Sequence, residues 1–411
     1  MGLTAMVIQR AENLDWWNKY LVDAEMLNIF KGWVGDYNAL TKKHTRNYIE
    51  RMGYTSVLDV GSGCCTEYYG YKNDGYSIYY SAVDTCEVLV TQAIGEGISA
   101  KLMSAENLIF EDNSYEVVFM RHLLEHIQSF KRALEQAIRV ASREVVIVFY
   151  LCPVYDKELT NYNNNDNIFN NRYNRWDIEQ YLLTNSRVNR FRWESVGTEE
   201  ILHIYTAKPK LIIPKIFHRV WMGKKPMPQE FIDYGRSWEI MHPDWEMKLW
   251  TEDNLFPLKN QKLFDNAIHV VQKCEIARLE IIYNIGGVYL DCDFECLKNI
   301  DDLLAGIEGF TACEDPGIFS MGIMGAVPGY KAYGVLVDGL EESLNKYKDY
   351  PINHQAGPMY ATRKKDEISY ITMFAPELFY PYSYREMYRK GESFPNAYAV
   401  HHWANSAGLG I

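Results

Sequence analysis

Two aspartates one residue apart, Asp291 and Asp293, close an apolar run in GGVYLDCDFEC at residues 286–296. On an extended strand they would share a face and converge on one charge. Hard oxygen ligands of this kind suit Mg²⁺ or Mn²⁺ held with a phosphate. The late stretch AVHHWANSAG offers His401 and His402 as a further ligand. In the first half, VLDVGSGCC runs from Val57 to Cys65, and Gly61 and Gly63 let the backbone come close to a bound molecule. The later AVD ends on Asp84, placed to take both hydroxyls of a ribose. In RHLLEHI, His122 and His126 are of the type that accepts a proton from a hydroxyl. HLLEH also fits the spacing of an inverted zinc peptidase, but it follows a strand of the first-half sheet with no third ligand evident.

These residues need elements to carry them. From Tyr54 to Lys208, β-branched runs (TSVLDV, SIYYSAVD, YEVVFM, EVVIVFY) alternate with helical patterns, and FRWESV with EEILHIYTA closes the series as a pair. That order predicts an open α/β sheet. The Asn-rich NYNNNDNIFNNRYN, Asn161 to Asn174, reads as a loop or lid. Pro209 and Pro214 flank a fresh start, which divides the chain into 1–208 and 209–411. In the second part, IPKIFHRVWMG is a strand ending on Trp221, whose indole offers a face to a uracil or guanine ring. KCEIARLEIIYNI predicts a helix running into a Gly-Gly turn, with Glu275 and Arg278 three residues apart on one otherwise apolar face.

The 411 residues are 47% hydrophobic and 23% charged, enough for two sizeable cores. A net charge of -12 and the lack of a basic run exclude a nucleic-acid backbone binder. The 31 Tyr and 10 Trp supply flat faces of the kind that hold sugars and bases. The opening MGLTAMVIQRAENLDWW lacks the pattern of a secretory signal, and the longest apolar run, starting at Val145, is too short for a membrane span. Eight cysteines without a CxxC pair suggest reduced thiols and a cytoplasmic protein.

The first part resembles the class I S-adenosylmethionine-dependent methyltransferases over roughly residues 40 to 208. The likeness rests on the glycine turn, AVD, and SAENLIFEDNSYEVVFMRHLLEHI. It implies that Asp59, Gly61 and Gly63 cradle the methionine part of S-adenosylmethionine, Asp84 its ribose, and Glu106 the adenine amino group with Asn107 beside it. Arg121 or His122 would line the cofactor's edge. Cys65 replaces the family's third glycine, and Glu116 the usual aspartate of the fourth strand.

The second part, about residues 211 to 406, resembles the retaining GT-A glycosyltransferases with a DxD motif. This is the family that includes yeast initiating mannosyltransferases and clostridial toxin glucosylating domains. The shared order is Pro-Lys-Ile-x-His-x-x-Trp, an Arg before Tyr-x-x-Gly-Gly-x-Tyr-x-Asp-x-Asp, and a His-His-Trp tail. By this resemblance Trp221 stacks on the donor base, Glu275 and Arg278 hold nucleoside and sugar, and Tyr289 and Asp291 meet ribose and sugar hydroxyls. Asp293 would bind Mn²⁺ or Mg²⁺ directly, His402 would complete the shell, and Asn405 or Ser406 would assist. Ala407 follows Ser406 where the family commonly has Trp, and AGPMYAT carries Ala356 in place of the Thr of a Thr-Gly-Pro loop.

The expected fold is therefore α/β, a Rossmann-like methyltransferase domain followed by a GT-A nucleotide-diphospho-sugar transferase domain. The expected protein is a bifunctional glycan-building enzyme that uses a UDP- or GDP-sugar, a glycan or glycolipid acceptor and S-adenosylmethionine. The rival readings are a methyltransferase-like half kept as a binding module and a DxD half kept as a lectin-like binder.

Overall fold

The computed structural model describes residues 18–156, 159–163, 168–315 and 317–404. The chain divides into two compact units, Met1–Pro209 and Lys210–Ile411.

The first unit is built on a seven-stranded sheet. Its strands are β1 (Ser56–Val60), β2 (Tyr79–Asp84), β3 (Ala100–Leu102), β4 (Tyr115–Arg121), β5 (Ala141–Phe149), β8 (Arg190–Val196) and β9 (Glu199–Tyr205), in the order β3-β2-β1-β4-β5-β9-β8. β1 pairs in parallel with both β2 and β4, and β4 in parallel with β5, while β9 runs antiparallel to β5 and β8. The sequence explains the pattern. β1, β4 and β5 are near-continuous apolar runs because parallel strands are covered on both faces, and Val57, Leu58, Val117, Val118, Val145 and Val146 are fully buried. The helix Phe130–Val140 starts where the Ser129 side chain accepts from the Lys131 amide. It buries Phe130, Ala133, Leu134, Ala137 and Ile138, a helical apolar stripe against the sheet.

The Asn-rich stretch is not simply a loop. Leu159–Asn163 (β6) and Ile168–Arg172 (β7) pair antiparallel as a hairpin. Asn is unfavourable in strands, yet Asn171 is fully buried and its amide donates to the Ile127 carbonyl at 2.6 Å. A tertiary partner overrides the local preference.

The second unit holds a six-stranded sheet. It comprises β10 (Ile216–Val220), β11 (Glu246–Trp250), β12 (Gly287–Leu290), β14 (Gly309–Asp315), β15 (Ile318–Ala326) and β16 (Thr372–Phe374), in the order β11-β10-β12-β15-β14-β16. β10 pairs in parallel with β11 and β12, whereas β15 is antiparallel to β12 and β14. A separate two-stranded ribbon joins β13 (Phe294–Cys296) to β17 (Ala399–His401). The helix Val270–Ile285 feeds β12 through Gly286 and Gly287, both at positive φ. A Cβ on Gly287 would meet the Ile216 carbonyl at 2.6 Å and His218 Nε2 at 2.8 Å, so only glycine fits this crossing. His218 is buried, donates from Nε2 to the Gly286 carbonyl at 2.9 Å and accepts from Trp250 Nε1 at 3.0 Å. Burial lowers its pKa to about 4 and keeps the ring a neutral latch on the turn.

Among the described residues no helix is long and apolar enough to cross a membrane.

Candidate active sites

In the first unit a cavity of about 640 Å³ opens at the carboxyl ends of β1, β2 and β4, where sheet connections diverge and open α/β sheets bind ligands. Asp59, Gly61, Gly63, Asp84, Arg121, His122 and His126 all line it. Gly61 and Gly63 sit at φ 71° and 52°. A Cβ on Gly61 would meet Leu123 Cδ1 at 2.8 Å, and at φ 71° any side chain is strained, so the turn favours glycine. Asp84 ends β2 and accepts from the Gly63 amide at 2.9 Å through one oxygen and from the Cys86 amide at 2.9 Å through the other. Each carboxylate oxygen keeps a further lone pair for a hydroxyl. Asp59 is buried and accepts from Tyr80 Oη at 2.5 Å; burial raises its pKa to about 7. Cys65 is buried and adopts φ 51°, so the turn is left-handed at a residue that carries a side chain. The residues present fit S-adenosylmethionine, with backbone and acidic groups for its polar ends and an apolar wall that includes Leu89, Met103 and Phe119.

Glu106 and Asn107 are not brought to this wall. The turn presents Ala105 to the cavity, the Glu106 amide is tied to Ser104 Oγ at 3.2 Å, and Asn107 is exposed. Glu116 lies at the other end of the sheet, accepting from Thr55 through amide and hydroxyl. His122 and His126 do not share a helix face either. His122 stands at φ 51° outside any helix, and His126 ends a single 3₁₀ turn, Leu124–His126. Among the described residues the one group of three spaced to hold a metal ion is in the second unit. Arg121 is engaged by Glu67 at 3.0 Å and Glu199 at 3.3 Å.

In the second unit a cavity of about 250 Å³ is lined by Trp221, Glu275, Arg278, Tyr289, Asp291, Asp293 and His401, among others. Asp291 and Asp293 do converge, but not as alternate residues of a strand. They flank a tight turn between β12 and β13, closed by the Phe294 amide donating to the Asp291 carbonyl at 3.1 Å. Arg219 holds this turn from below, its buried guanidinium donating to the Cys292 carbonyl at 2.7 Å and the Phe231 carbonyl at 2.6 Å. Room for Asp291 comes from Gly322, where a Cβ would meet Asp291 Oδ2 at 2.8 Å.

The two carboxylates have different company. Asp291 Oδ1 accepts from Tyr289 Oη at 2.8 Å and from Arg278 at 3.3 Å, and Arg278 also pairs with Glu275. Asp293 accepts from the Ala404 amide at 2.8 Å and faces His401. The tail histidine at the carboxylates is His401, not His402. His401 Nε2 is 3.0 Å from Asp293 Oδ1 and 3.7 Å from Asp291 Oδ2. His402 turns the other way, to Glu295 at 2.9 Å and Tyr382 at 3.2 Å. Pairing of β17 with β13 sets Phe294 opposite His401, and strand alternation then points the next side chain away. Asn405 and Ser406 lie outside the described residues.

The ligand atoms of Asp291, Asp293 and His401 lie within 4.8 Å of one another, a mixed oxygen and nitrogen set that fits Mn²⁺ or Mg²⁺. Burial opposes charge on His401, yet the Asp293 carboxylate, backed by Asp291, holds its pKa well above the ordinary histidine range. A cation bound there would displace that ring proton, because a ligating imidazole is neutral. Trp221 is half-buried on the cavity wall, its indole tied to the Lys225 carbonyl at 2.8 Å and braced edge-on by Phe231. Sequence reasoning missed Arg219, Gly322 and Glu199, none of which belongs to a spaced motif.

Residues 58–149 match the family described as methyltransferase domain, and residues 228–308 the glycosyltransferase sugar-binding region containing DXD motif. Inositol phosphoceramide mannosyltransferase 3 of Schizosaccharomyces pombe is 27% identical over 255 residues, 56% of this chain and 70% of that protein. Human alpha-1,4-N-acetylglucosaminyltransferase is 30% identical over 252 residues, 54% of this chain and 70% of that protein. The chain spans only 50% and 41% of mannosyltransferases 1 and 2 of the same yeast. A solved structure titled PaToxG Glycosyltransferase aligns at 17% identity and a TM-score of 0.35 over 39% of this chain and 71% of its own.

Proposed function

Since the chain belongs to the DXD-motif glycosyltransferases and its first half is a methyltransferase domain, we propose that it builds and methylates a glycan. In this reading the second unit transfers a sugar, with retention, from a UDP- or GDP-sugar to a glycan or glycolipid hydroxyl. A bound divalent cation would stabilise the departing nucleotide diphosphate. Asp293 and His401 would hold the cation with Asp291 beside them. Tyr289 and Arg278 fix the orientation of Asp291, leaving its second oxygen toward the cation or a donor hydroxyl, and Trp221 would receive the base. The observation that carries the proposal is the convergence of Asp291, Asp293 and His401 on the wall that also bears Trp221.

The first unit would methylate a sugar hydroxyl. S-adenosylmethionine supplies the electrophilic methyl group when bound. The chain's part is to cradle it at Gly61 and Gly63, orient it through Asp84, and take the acceptor's proton on His122 or His126. Carrying both activities on one chain raises the effective concentration of one product at the other site. The eight free thiols support a reducing, cytoplasmic location.

A thermal-shift panel tests the reading, because a ligand that binds only the folded state raises its melting point. S-adenosylhomocysteine should stabilise the protein alone, and UDP or GDP only with Mn²⁺. A nucleotide shift without one from S-adenosylhomocysteine would reduce the first half to a non-catalytic module.

A further inference from the structure

The methyltransferase family match begins at residue 58, yet the first cavity is partly walled by residues that precede it. One such element is the helix Ala24–Val34, started by Asp23, whose side chain accepts from the Glu25 and Met26 amides. Leu27, Phe30 and Val34 follow at spacings of three and four and so share a face. That face is not sunk in a core, since none of the helix's described side chains is buried. Phe30 and Val34 line the cavity instead, and Leu27 and Phe30 pack on a small cluster of Leu21, Cys86 and Leu89. The Phe30 ring lies over the glycine turn, its Cζ 3.6 Å from where a Cβ on Gly63 would stand. Gly63 is one of the two residues whose amides hold Asp84. The ring therefore stands at the Asp84 end of the cavity. Both ends of the segment are tied beside the same turns. Asn18 donates to the Thr85 carbonyl at 3.1 Å and accepts from the Glu87 amide at 2.7 Å, while the Val34 carbonyl accepts from Thr66 Oγ1 at 2.9 Å.

We infer that the helix Ala24–Val34 is a lid on the first cavity and that Phe30 is a cofactor-binding residue, its ring covering the nucleoside part of S-adenosylmethionine. The inference rests on the methyl-transfer reading above. A helix of 11 residues is too short to hold itself together in water and needs its apolar face covered. Here part of that face looks into the cavity, so an adenosine lying between Phe30 and the Asp84 turn completes the burial of the stripe. A planar base gains from a phenyl ring whatever its edge presents. That suits a wall to which Glu106 and Asn107 are not brought. An element with few buried contacts also opens at low cost, so cofactor enters and product leaves without disturbing the sheet.

Hydrogen–deuterium exchange on the full chain tests the lid, and calorimetry tests the residue. S-adenosylhomocysteine should slow amide exchange across residues 24–34 several-fold, whereas UDP with Mn²⁺ should not. Phe30→Ala should weaken S-adenosylhomocysteine affinity about tenfold, and Phe30→Leu, apolar but without the ring, should recover only part of the loss. Unchanged exchange in β1, β4 and β5 of both variants shows that the sheet is intact. If S-adenosylhomocysteine binds the wild type without slowing exchange across 24–34, or binds Phe30→Ala as tightly as the wild type, the lid is overturned. No binding by the wild type would instead remove the methyl-transfer reading, and the inference with it.

Discussion

His401 Nε2 lies 3.0 Å from Asp293 Oδ1, while the adjacent His402 stacks its ring on Tyr234 with centroids 4.4 Å apart. Two neighbouring histidines thus have separate duties, one at the carboxylates and one in packing.

Substitutions separate the two. Asp293→Ala should abolish Mn²⁺-dependent nucleotide binding. His401→Ala should weaken Mn²⁺ affinity about tenfold or more. His402→Ala should leave Mn²⁺ affinity unchanged and lower the melting temperature, because it empties a buried stack. Calorimetric titration of Mn²⁺ in the presence of UDP or GDP reads all three, and equal Mn²⁺ losses in the two histidine variants would contradict the assignment.

Trp221 offers its exposed face to the cavity while Phe231 and the Lys225 carbonyl hold the ring still. Replacing it with Ala should cost about 1–3 kcal/mol of nucleotide affinity, the usual worth of a base–aromatic stack. Trp221→Phe should recover part of that. An unchanged dissociation constant in Trp221→Ala would place the base elsewhere.

Gly287 combines φ 87° with a carbonyl 2.6 Å from where its Cβ would be. Gly287→Ala should therefore destabilise by more than about 1 kcal/mol, since both strain and overlap act. Urea unfolding checks this. Gly329, also at positive φ but with open space around its Cβ position, is the control and should lose less on the same change.

Glu125 is fully buried in the first unit. One oxygen accepts from the Tyr150 amide at 2.9 Å and the other has no hydrogen-bond partner. Burial raises its pKa to about 7, although backbone hydrogen bonds pull against the rise. The folded state thus holds this proton more tightly than the unfolded chain, whose pKa is about 4.3. The contribution to stability is complete below about pH 4 and is lost as pH climbs through 7, a change of roughly 4 kcal/mol. Glu125→Gln should flatten that decline, and unfolding curves on either side of pH 6 show whether it does. An equal slope in the variant would assign the decline to other groups.

Much of this architecture is readable in the residues because local chemistry repeats it. The parallel strands announce themselves as unbroken apolar runs, and the Gly61 and Gly287 turns need the only residue type that fits. The Asp291 and Asp293 pair is equally legible as chemistry, although the chain delivers it on a turn and not a strand. What local pattern does not encode is which side a short terminal strand shows. His401 gains its direction from pairing with Phe294, 107 residues earlier in the chain. Glu199 is hidden for the same reason, because only the antiparallel return of β9 against β5 carries it to His122. Glu106 and Asn107 lie in a turn closed on Ser104, whose hydroxyl accepts from the Glu106 amide and whose carbonyl accepts from the Asn107 amide.

The position of β9 between β5 and β8 also has a consequence for biosynthesis. The glycine turn, Asp84 and both histidines have left the ribosome by the time Phe149 emerges, but Glu199 follows 50 residues later. At ordinary synthesis rates of about 5–20 residues per second, that leaves β5 as an open edge for roughly 3–10 s. Val145, Val146, Ile147 and Val148 lie on that edge, all buried once the strand is covered. A nascent chain stalled in that interval presents an apolar strand ready to pair with another molecule, so the strand that carries Glu199 also closes the first unit against aggregation.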